Sequence, residues 1–301
     1  MNGAGSNGKL ISIIIVNYFQ MEFITGCVRS IANRLSADDY ELIAVNNSPA
    51  EDLGNLKEIA PGISIFENSN RGFPHANNLA AKYAIGRYLL FLNPDTLVED
   101  DFIEEFRRLE LPQDFGIGGL RLFNPDGSVQ LSYWNENTFV NEIMNKSDEK
   151  RQKNRNANAG NITAREDISG VDWVSGASML IEKELFMKIG GFDESFFLFY
   201  EDADICKIFL DNGRKIYYLP VGKIIHYKGE NVNERFSSDT YYYAKESQLN
   251  YYRKHNGIAD RFFLRAYLFL KFSARYLGGF RKIDKDILKL LLGKRRNDAR
   301  T

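Results

Sequence analysis

A chain of 301 residues, 44% hydrophobic and 26% charged, is long enough to bury a substantial core and too apolar to be a disordered chain. Its two cysteines, Cys27 and Cys206, lie far apart in helical patterns, which excludes a disulfide scaffold and fits buried thiols in a reducing, cytoplasmic compartment. The net charge of −1 hides an asymmetry: residues 250–301 hold 14 Lys+Arg against 4 Asp+Glu, a charge of +10, whereas residues 1–249 hold 25 against 36, a charge of −11.

Residues 1–9, MNGAGSNGK, lack the apolar stretch of a signal peptide and read as a flexible tail with no export signal. Residues 12–16, SIIIV, are continuously apolar and β-branched, as a strand covered on both faces would be. Ile24, Cys27, Val28, Ile31 and Leu35 then recur on one face of an amphipathic helix. Strands follow at 41–45, 63–66 and 88–92, with a helix near 75–85 between the last two. This alternation predicts right-handed βαβ units and an open parallel sheet, whose ligands bind beyond the carboxyl ends of the strands.

Those ends are polar throughout. Asn17-Tyr18 closes the first strand, Asn46-Asn47 the second, residues 68–70 the third and Asn93-Pro94-Asp95 the fourth. Asn and Asp make good turns after strands, but four such ends together favour a nucleotide or sugar site. Residues 116–123 read as a further strand, 124–127 (NPDG) as a turn and 128–133 as the returning strand of a hairpin. Residues 135–168 are polar and weakly periodic, which predicts a mobile excursion, a candidate lid. Ordered structure resumes over 171–181, followed by a short helix and Gly190-Gly191.

Three constellations can carry chemistry. Asp95, beyond a buried strand, suits a hard divalent cation that neutralises a diphosphate, or else caps a helix over 98–109. Glu201, Asp202 and Asp204 open a helix, where their charge meets the positive dipole end; the apolar run 196–200 before them would also raise a carboxyl pKa toward general-base range. His226, ending an apolar strand, is either a metal ligand or a satisfied core histidine.

The ordered set VNY (16–18), VNNS (45–48), NRGFPHANN (70–78), LNPD (92–95), WVSGA (173–177), GGFDE (190–194), YEDAD (200–204) and His226 resembles glycosyltransferase family 2, most closely its bacterial rhamnosyltransferase-like branch, over about residues 10–230. The resemblance implies an α/β GT-A (Rossmann-like) fold with a mixed central sheet, as a catalytic domain over 10–249. It implies inverting transfer from a nucleoside diphosphate sugar, with Mn or Mg, to a glycan or lipid-linked acceptor in bacterial surface polysaccharide synthesis, and rhamnose as the sugar. Carried over residue by residue, Asp202 is the base, and Asp95 with His226 holds the metal. Asn17, Tyr18, Asn46, Asn47, Asn70, Gly72, Phe73, Asn77 and Asn93 line the donor pocket, and Trp173, Ser175, Gly176, Glu201 and Asp204 the acceptor side. Two positions depart from the family. Asn46 stands where an Asp accepts a pyrimidine N–H, a bond an amide carbonyl can also accept, and Asn93 removes one carboxylate of the commoner DxD. They motivate the alternative of a nucleotide-sugar-binding module without turnover.

A nucleotidyltransferase would need a basic, glycine-rich loop after the first strand, and residues 17–22, NYFQME, are neither. The acidic body and the lack of a nucleic-acid motif exclude that partner class. The extension over 250–301 reads as helical: in 261–276, RFFLRAYLFLKFSARY, the residues Arg261, Arg265, Lys271 and Arg275 share an arc with Leu264, Leu268 and Phe272, and the remaining arc is apolar. Four charges argue against a spanning helix. Two readings stand: residues 258–301 lie on an anionic membrane, on the inner face of the cytoplasmic membrane, or they pack on the catalytic domain or at a homo-oligomer interface.

Overall fold

The computed structural model describes residues 8–144, 166–227 and 238–296. In chain order its elements are β1 (Ile11–Asn17), α1 (Met21–Arg34), β2 (Tyr40–Asn46), α2 (Leu56–Ile59), β3 (Ser64–Glu67), α3 (Phe73–Tyr83), β4 (Tyr88–Leu92), β5 (Thr96–Val98), α4 (Phe102–Arg108), β6 (Phe115–Phe123), β7 (Tyr133–Trp134), β8 (Ser169–Val171), β9 (Trp173–Val174), β10 (Ser178–Glu182), α5 (Lys183–Lys188), α6 (Glu201–Asp211), β11 (Lys215–His226), α7 (Ser238–His255), α8 (Ile258–Gly279) and α9 (Lys282–Leu291). The main sheet runs β3-β2-β1-β4-β10-β6-β11-β5, with β8 also paired to β11.

The first half is parallel, as the βαβ alternation predicts, with β1 between β2 and β4. The second half is mixed, because β10 enters antiparallel to both β4 and β6. Every residue of β1 is buried, and its pleat divides them between two cores. Ile11, Ile13 and Ile15 meet Ile24, Cys27, Val28 and Ile31 of α1 on one face. Ile14 and Val16 meet Ala76, Ala80 and Ala81 of α3 on the other. Both cysteines are buried and unpaired, and burial pushes the Cys27 thiol up to about 12.

Several expectations need correction. The predicted helix over 98–109 is shorter: residues 96–98 instead form β5 against β11, and Asp101, not Asp95, caps α4 by accepting a hydrogen bond from Glu104 N (3.2 Å). The returning hairpin strand over 128–133 is a single bridge between Phe123 and Val129, after which β7 pairs with β9. Residues 135–144 of the expected mobile excursion are packed. Phe139 N donates to Asp260 (2.9 Å), Gln248 donates to Glu142 (2.8 Å) and Asn256 donates to the Asn137 carbonyl (2.8 Å). Polar pairing, which leaves no hydrophobic period, holds this stretch; residues 145–165 lie outside the described residues.

The C-terminal helices form a third cluster in which Phe196 and Ala203 of the sheet domain join Tyr242, Tyr251, Leu264, Leu268 and Phe272. Helix α7 runs across the expected boundary at residue 250, so the extension begins within it. Among the described residues no helix is long and apolar enough to cross a membrane.

Candidate active site

The carboxyl ends of β1, β2 and β3 form a rigid polar floor. Asn46 Oδ1 accepts from Ser48 N (3.0 Å) and Asn17 Nδ2 (3.3 Å), while its Nδ2 donates to the Glu51 carbonyl (2.8 Å) and Glu67 Oε2 (2.9 Å). An amide has two protons and two acceptor lone pairs, so Asn46 is saturated within the chain. It builds the floor, and the expectation that its carbonyl accepts a hydrogen bond from the base is corrected accordingly. Asn47 Oδ1 likewise accepts from Asn68 Nδ2 (2.7 Å), and Asn17 Nδ2 also donates to Glu51 Oε2 (2.8 Å). Above this floor Phe19 takes a left-handed backbone (φ 51°), its N–H held by Ser48 Oγ (2.6 Å). The turn leaves Tyr18 49% exposed at the strand end, open to a flat ligand.

Gly72 opens α3 at φ +101°, and a Cβ there would lie 2.5 Å from the Phe197 carbonyl oxygen, which accepts from Phe73 N (2.9 Å). This junction pins the 70–73 loop to the segment leading into α6. Gly72→Ala therefore combines a left-handed penalty with a clash and is expected to cost about 3 kcal/mol in urea unfolding; an unchanged midpoint would contradict the junction. Asn77 is buried and donates to the Phe73 carbonyl (2.9 Å), so it secures the helix start. Phe73 packs partly buried on the second core, and Asn70 is half-buried beside the loop.

At the ends of β4 and β11, Asp95 Oδ1 lies 3.3 Å from His226 Nε2, and Asn93 Nδ2 lies 3.4 Å from the same nitrogen. The tautomer follows from Gln130. Its Nε2 donates to the His226 carbonyl (3.0 Å) and to Asn124 Oδ1 (2.9 Å), so its Oε1 is the atom 2.7 Å from His226 Nδ1. In the neutral imidazole Nδ1 then carries the proton and Nε2 presents its lone pair toward Asp95. Cis ligands about 2.1 Å from one octahedral ion lie about 3 Å apart, so the Asp95–His226 separation fits a shared divalent cation. Among the described residues no group of three or more His, Cys, Asp or Glu converges on one point. The pair thus suits a cation whose other positions go to phosphate oxygens and water.

The acidic helix meets this end of the sheet through β10. Asn93 N donates to the Ala177 carbonyl (3.0 Å), and the neighbouring Gly176 N donates to Asp202 Oδ2 (3.0 Å). Asp202 Oδ1 accepts from Ala203 N (2.8 Å). Two consecutive left-handed residues, Phe199 and Tyr200 (φ 68° and 67°), turn the chain into α6; each costs about 1–2 kcal/mol, offset by packing such as Tyr200 on Tyr251 (ring centroids 5.6 Å apart). Burial raises the Asp202 pKa above the usual carboxylate value despite its two backbone donors. Glu201 is raised well above its ordinary value, first by burial and then by the Asp202 charge, and its Oε2 has no hydrogen-bond partner among the described residues.

The sign of the Glu201 effect follows from linkage. A carboxyl whose folded pKa is raised contributes stability below its unfolded pKa, and that contribution is lost as pH rises through the folded value. Glu201→Gln keeps the shape without the ionisation. The variant is expected to gain at least about 2 °C in Tm over the parent at alkaline pH, with the difference shrinking toward the ordinary carboxylate pKa of 4.5. A pH-independent difference would contradict a buried, proton-retaining Glu201.

The remaining expected acceptor residues divide. Ser175 and Gly176 flank the Asp202 contact, Ser175 Oγ accepting from Ala177 N (3.2 Å). Trp173 stacks on Trp134 (centroids 4.3 Å apart) and donates from Nε1 to the Asn135 carbonyl (2.9 Å). Asp204 departs from the expectation: it is fully buried, ion-paired to Lys254 (2.8 Å) and within hydrogen-bond distance of His255 Nε2 (2.6 Å), tying α6 to α7 instead of facing an acceptor. The GGFDE stretch is also architectural, since Asn78 brackets Phe192 with hydrogen bonds to its N–H and carbonyl (both 2.9 Å). Gln130, Glu51 and Glu67 escape sequence reading, because no residue type or spacing marks their roles.

Comparison with known proteins places this geometry in a lineage. Glycosyl transferase family 2 matches residues 12–165, just over half of the chain. Rhamnosyltransferase WbbL of Escherichia coli (strain K12) is 26% identical over 267 residues, covering 85% of this chain and 97% of that protein. The N-acetylglucosaminyl-diphospho-decaprenol L-rhamnosyltransferase of Mycobacterium tuberculosis (strain ATCC 25618 / H37Rv) is 27% identical over 127 residues, 41% of each chain. Among solved structures, S. aureus TarS 1-349 superposes with a TM-score of 0.52 at 16% identity, covering 94% of this chain and 79% of that one. GalNAc-T7, solved with UDP, GalNAc and Mn2+, gives a TM-score of 0.53 at 16% identity, covering 81% and 48%. Those likenesses carry the fold, which is GT-A, and the family match carries the membership: the chain belongs to glycosyltransferase family 2.

Proposed function

We propose that this chain transfers a sugar, with rhamnose the first candidate, from a nucleoside diphosphate donor to a hydroxyl of a glycan or lipid-linked acceptor with inversion, in building a bacterial surface polysaccharide. The observation that carries the reading is the Asp202 carboxylate, raised in pKa and fixed by Gly176 N just before β10, which pairs with β4, the strand that Asp95 follows by three residues. The two rhamnosyltransferases support the donor choice, and the decaprenol-diphosphate named for the mycobacterial relative supports a lipid-linked acceptor.

In this reading Asp202 takes the proton of the acceptor hydroxyl as its oxygen forms a bond to the anomeric carbon and the bond to the diphosphate oxygen breaks on the opposite face. A carboxylate with a raised pKa is a stronger base than an ordinary one. Gly176 N and Ala203 N hold its two oxygens, so the base is oriented before the acceptor arrives. Asp95 and the Nε2 lone pair of His226 would hold a divalent cation, which when bound would neutralise charge on the leaving diphosphate. Tyr18, exposed at the end of β1, stacks on the nucleobase above the Asn17–Asn46 floor.

The product tests the reaction class. NMR of the glycoside formed from an identified donor and acceptor is expected to show an anomeric configuration opposite to the donor's. Retention would rule out a single displacement with Asp202 as base.

A further inference from the structure

Helix α8 has its polarity inverted. Leu264, Leu268 and Phe272 are buried against the domain, yet the opposite face, in contact with solvent, is also apolar. It carries Ile258, Phe262, Phe269, Leu270 and Leu277, of which Phe262, Leu270 and Leu277 are 64%, 71% and 72% exposed. At about 100° per residue these five fall on one side of the helix, and no Asp, Glu, Lys or Arg shares their arc. The helix's own cations turn the other way. Arg265 donates to the Leu291 carbonyl (2.9 Å), Arg275 pairs with Asp284 (3.1 Å), and Lys271 lies over the rings of Tyr267 and Phe272 (both 5.8 Å).

The result is an apolar ridge along a helix about 33 Å long over 22 residues, and the next segment carries the exposed Arg281, Lys282, Lys285 and Lys289. We propose that this ridge is a membrane-docking face, seated in the headgroup layer of an anionic bilayer with the α9 lysines against lipid phosphates. The charge of this segment favours lipid over a second copy of the chain. Residues 250–301 carry +10, so a two-fold contact through the ridge would bring two strongly basic segments together, whereas an anionic surface neutralises one. The helix shares its inner core with Tyr200 and Ala203, the neighbours of Glu201 and Asp202, so the acidic helix packs on the face of α8 opposite the ridge.

Co-sedimentation of the full chain with phosphatidylcholine vesicles, with and without about 30% phosphatidylglycerol, tests the face. Binding is expected only to the anionic vesicles and weakens as salt shortens the Debye length. The exposed triple variant Phe262→Gln/Leu270→Gln/Leu277→Gln is expected to lose at least about ten-fold in vesicle affinity with unchanged circular dichroism and Tm. The triple variant Lys282→Glu/Lys285→Glu/Lys289→Glu is expected to lose the preference for phosphatidylglycerol. Absence of binding by the parent, or equal binding by the glutamine variant, overturns the proposal. So does a parent that sediments as a dimer and becomes monomeric in the glutamine variant, which would make the ridge a self-association surface. The readout is independent of turnover, so its failure is distinct from failure of the transferase reading.

Discussion

Asp202→Asn is expected to lower turnover about a thousand-fold while leaving donor affinity within about two-fold. The amide keeps the side chain's size and its carbonyl oxygen still accepts from one of the two backbone donors, Gly176 N or Ala203 N, but it cannot accept a proton at neutral pH. A thousand-fold loss is about 4 kcal/mol of transition-state stabilisation, within the range of a lost general base. Removing the charge also relieves Glu201, whose raised pKa owes its second contribution to Asp202, which offsets the backbone hydrogen bond that the amide gives up. The parent's rate is expected to rise with pH through a midpoint above the usual aspartate value, because only the ionised carboxylate accepts the proton and burial has moved its pKa up. Steady-state kinetics on both proteins, with Tm measured alongside, would show this. A variant that turns over like the parent, or that loses donor affinity in proportion to rate, contradicts Asp202 as the base.

The second large effect is expected at a residue with no ionisable group. Gln130→Met removes the acceptor of His226 Nδ1–H and the donor to the His226 carbonyl and Asn124, with volume nearly kept. The imidazole is then free to rotate or change tautomer, and Nε2 no longer presents its lone pair by default. Metal affinity, read as the half-saturating Mn concentration for donor-induced thermal stabilisation, is expected to weaken by about 10- to 100-fold. Gln130→Glu, which still accepts from Nδ1, is expected to recover part of it. A merely structural Gln130 would change Tm in the absence of metal and leave the Mn requirement alone, and that pattern would contradict the positioning role.

The two cases differ in what the sequence discloses. Asp202 stands out in the sequence because the ordered motifs around it resemble a family, and because an aromatic run before an acidic helix start signals desolvated carboxyls. Gln130 does not, since a lone glutamine after a turn carries no period and no charge. The same physics sorts the fold. Strands β1 and β4 were legible because residues buried on both faces leave uninterrupted apolar runs, and α1 because its inner face repeats at helical spacing. The two-residue strands β7 and β9 and the three-residue β5 are too short to show a period of two. Residues 135–144 read as mobile because Asn137 and Glu142 are buried through hydrogen bonds that composition does not reveal.

Asn46 and Asp204 illustrate a subtler limit. Both sit in motifs of the family, and both were expected at the ligands. Asn46 instead spends all its hydrogen-bonding capacity on Asn17, Ser48, Glu51 and Glu67, and Asp204 is consumed by Lys254 and His255 on a helix some fifty residues away in the chain. Motif position fixes where the backbone goes; which side chains remain available depends on partners that only the fold brings close.

In the proposed reaction Asp202 activates an acceptor for attack on a nucleoside diphosphate sugar held at the ends of β1, β2 and β4. The most direct measurement is release of nucleoside diphosphate from a panel of such donors, with and without Mn or Mg, by the parent and by Asp202→Asn in parallel. One donor class, dependent on the cation, is expected to be hydrolysed by the parent, and the variant is expected to bind the same donor with a thermal shift but to release almost none. Hydrolysis at equal rates in both proteins, or no donor recognised by a folded parent at any cation concentration, would contradict the proposed reaction.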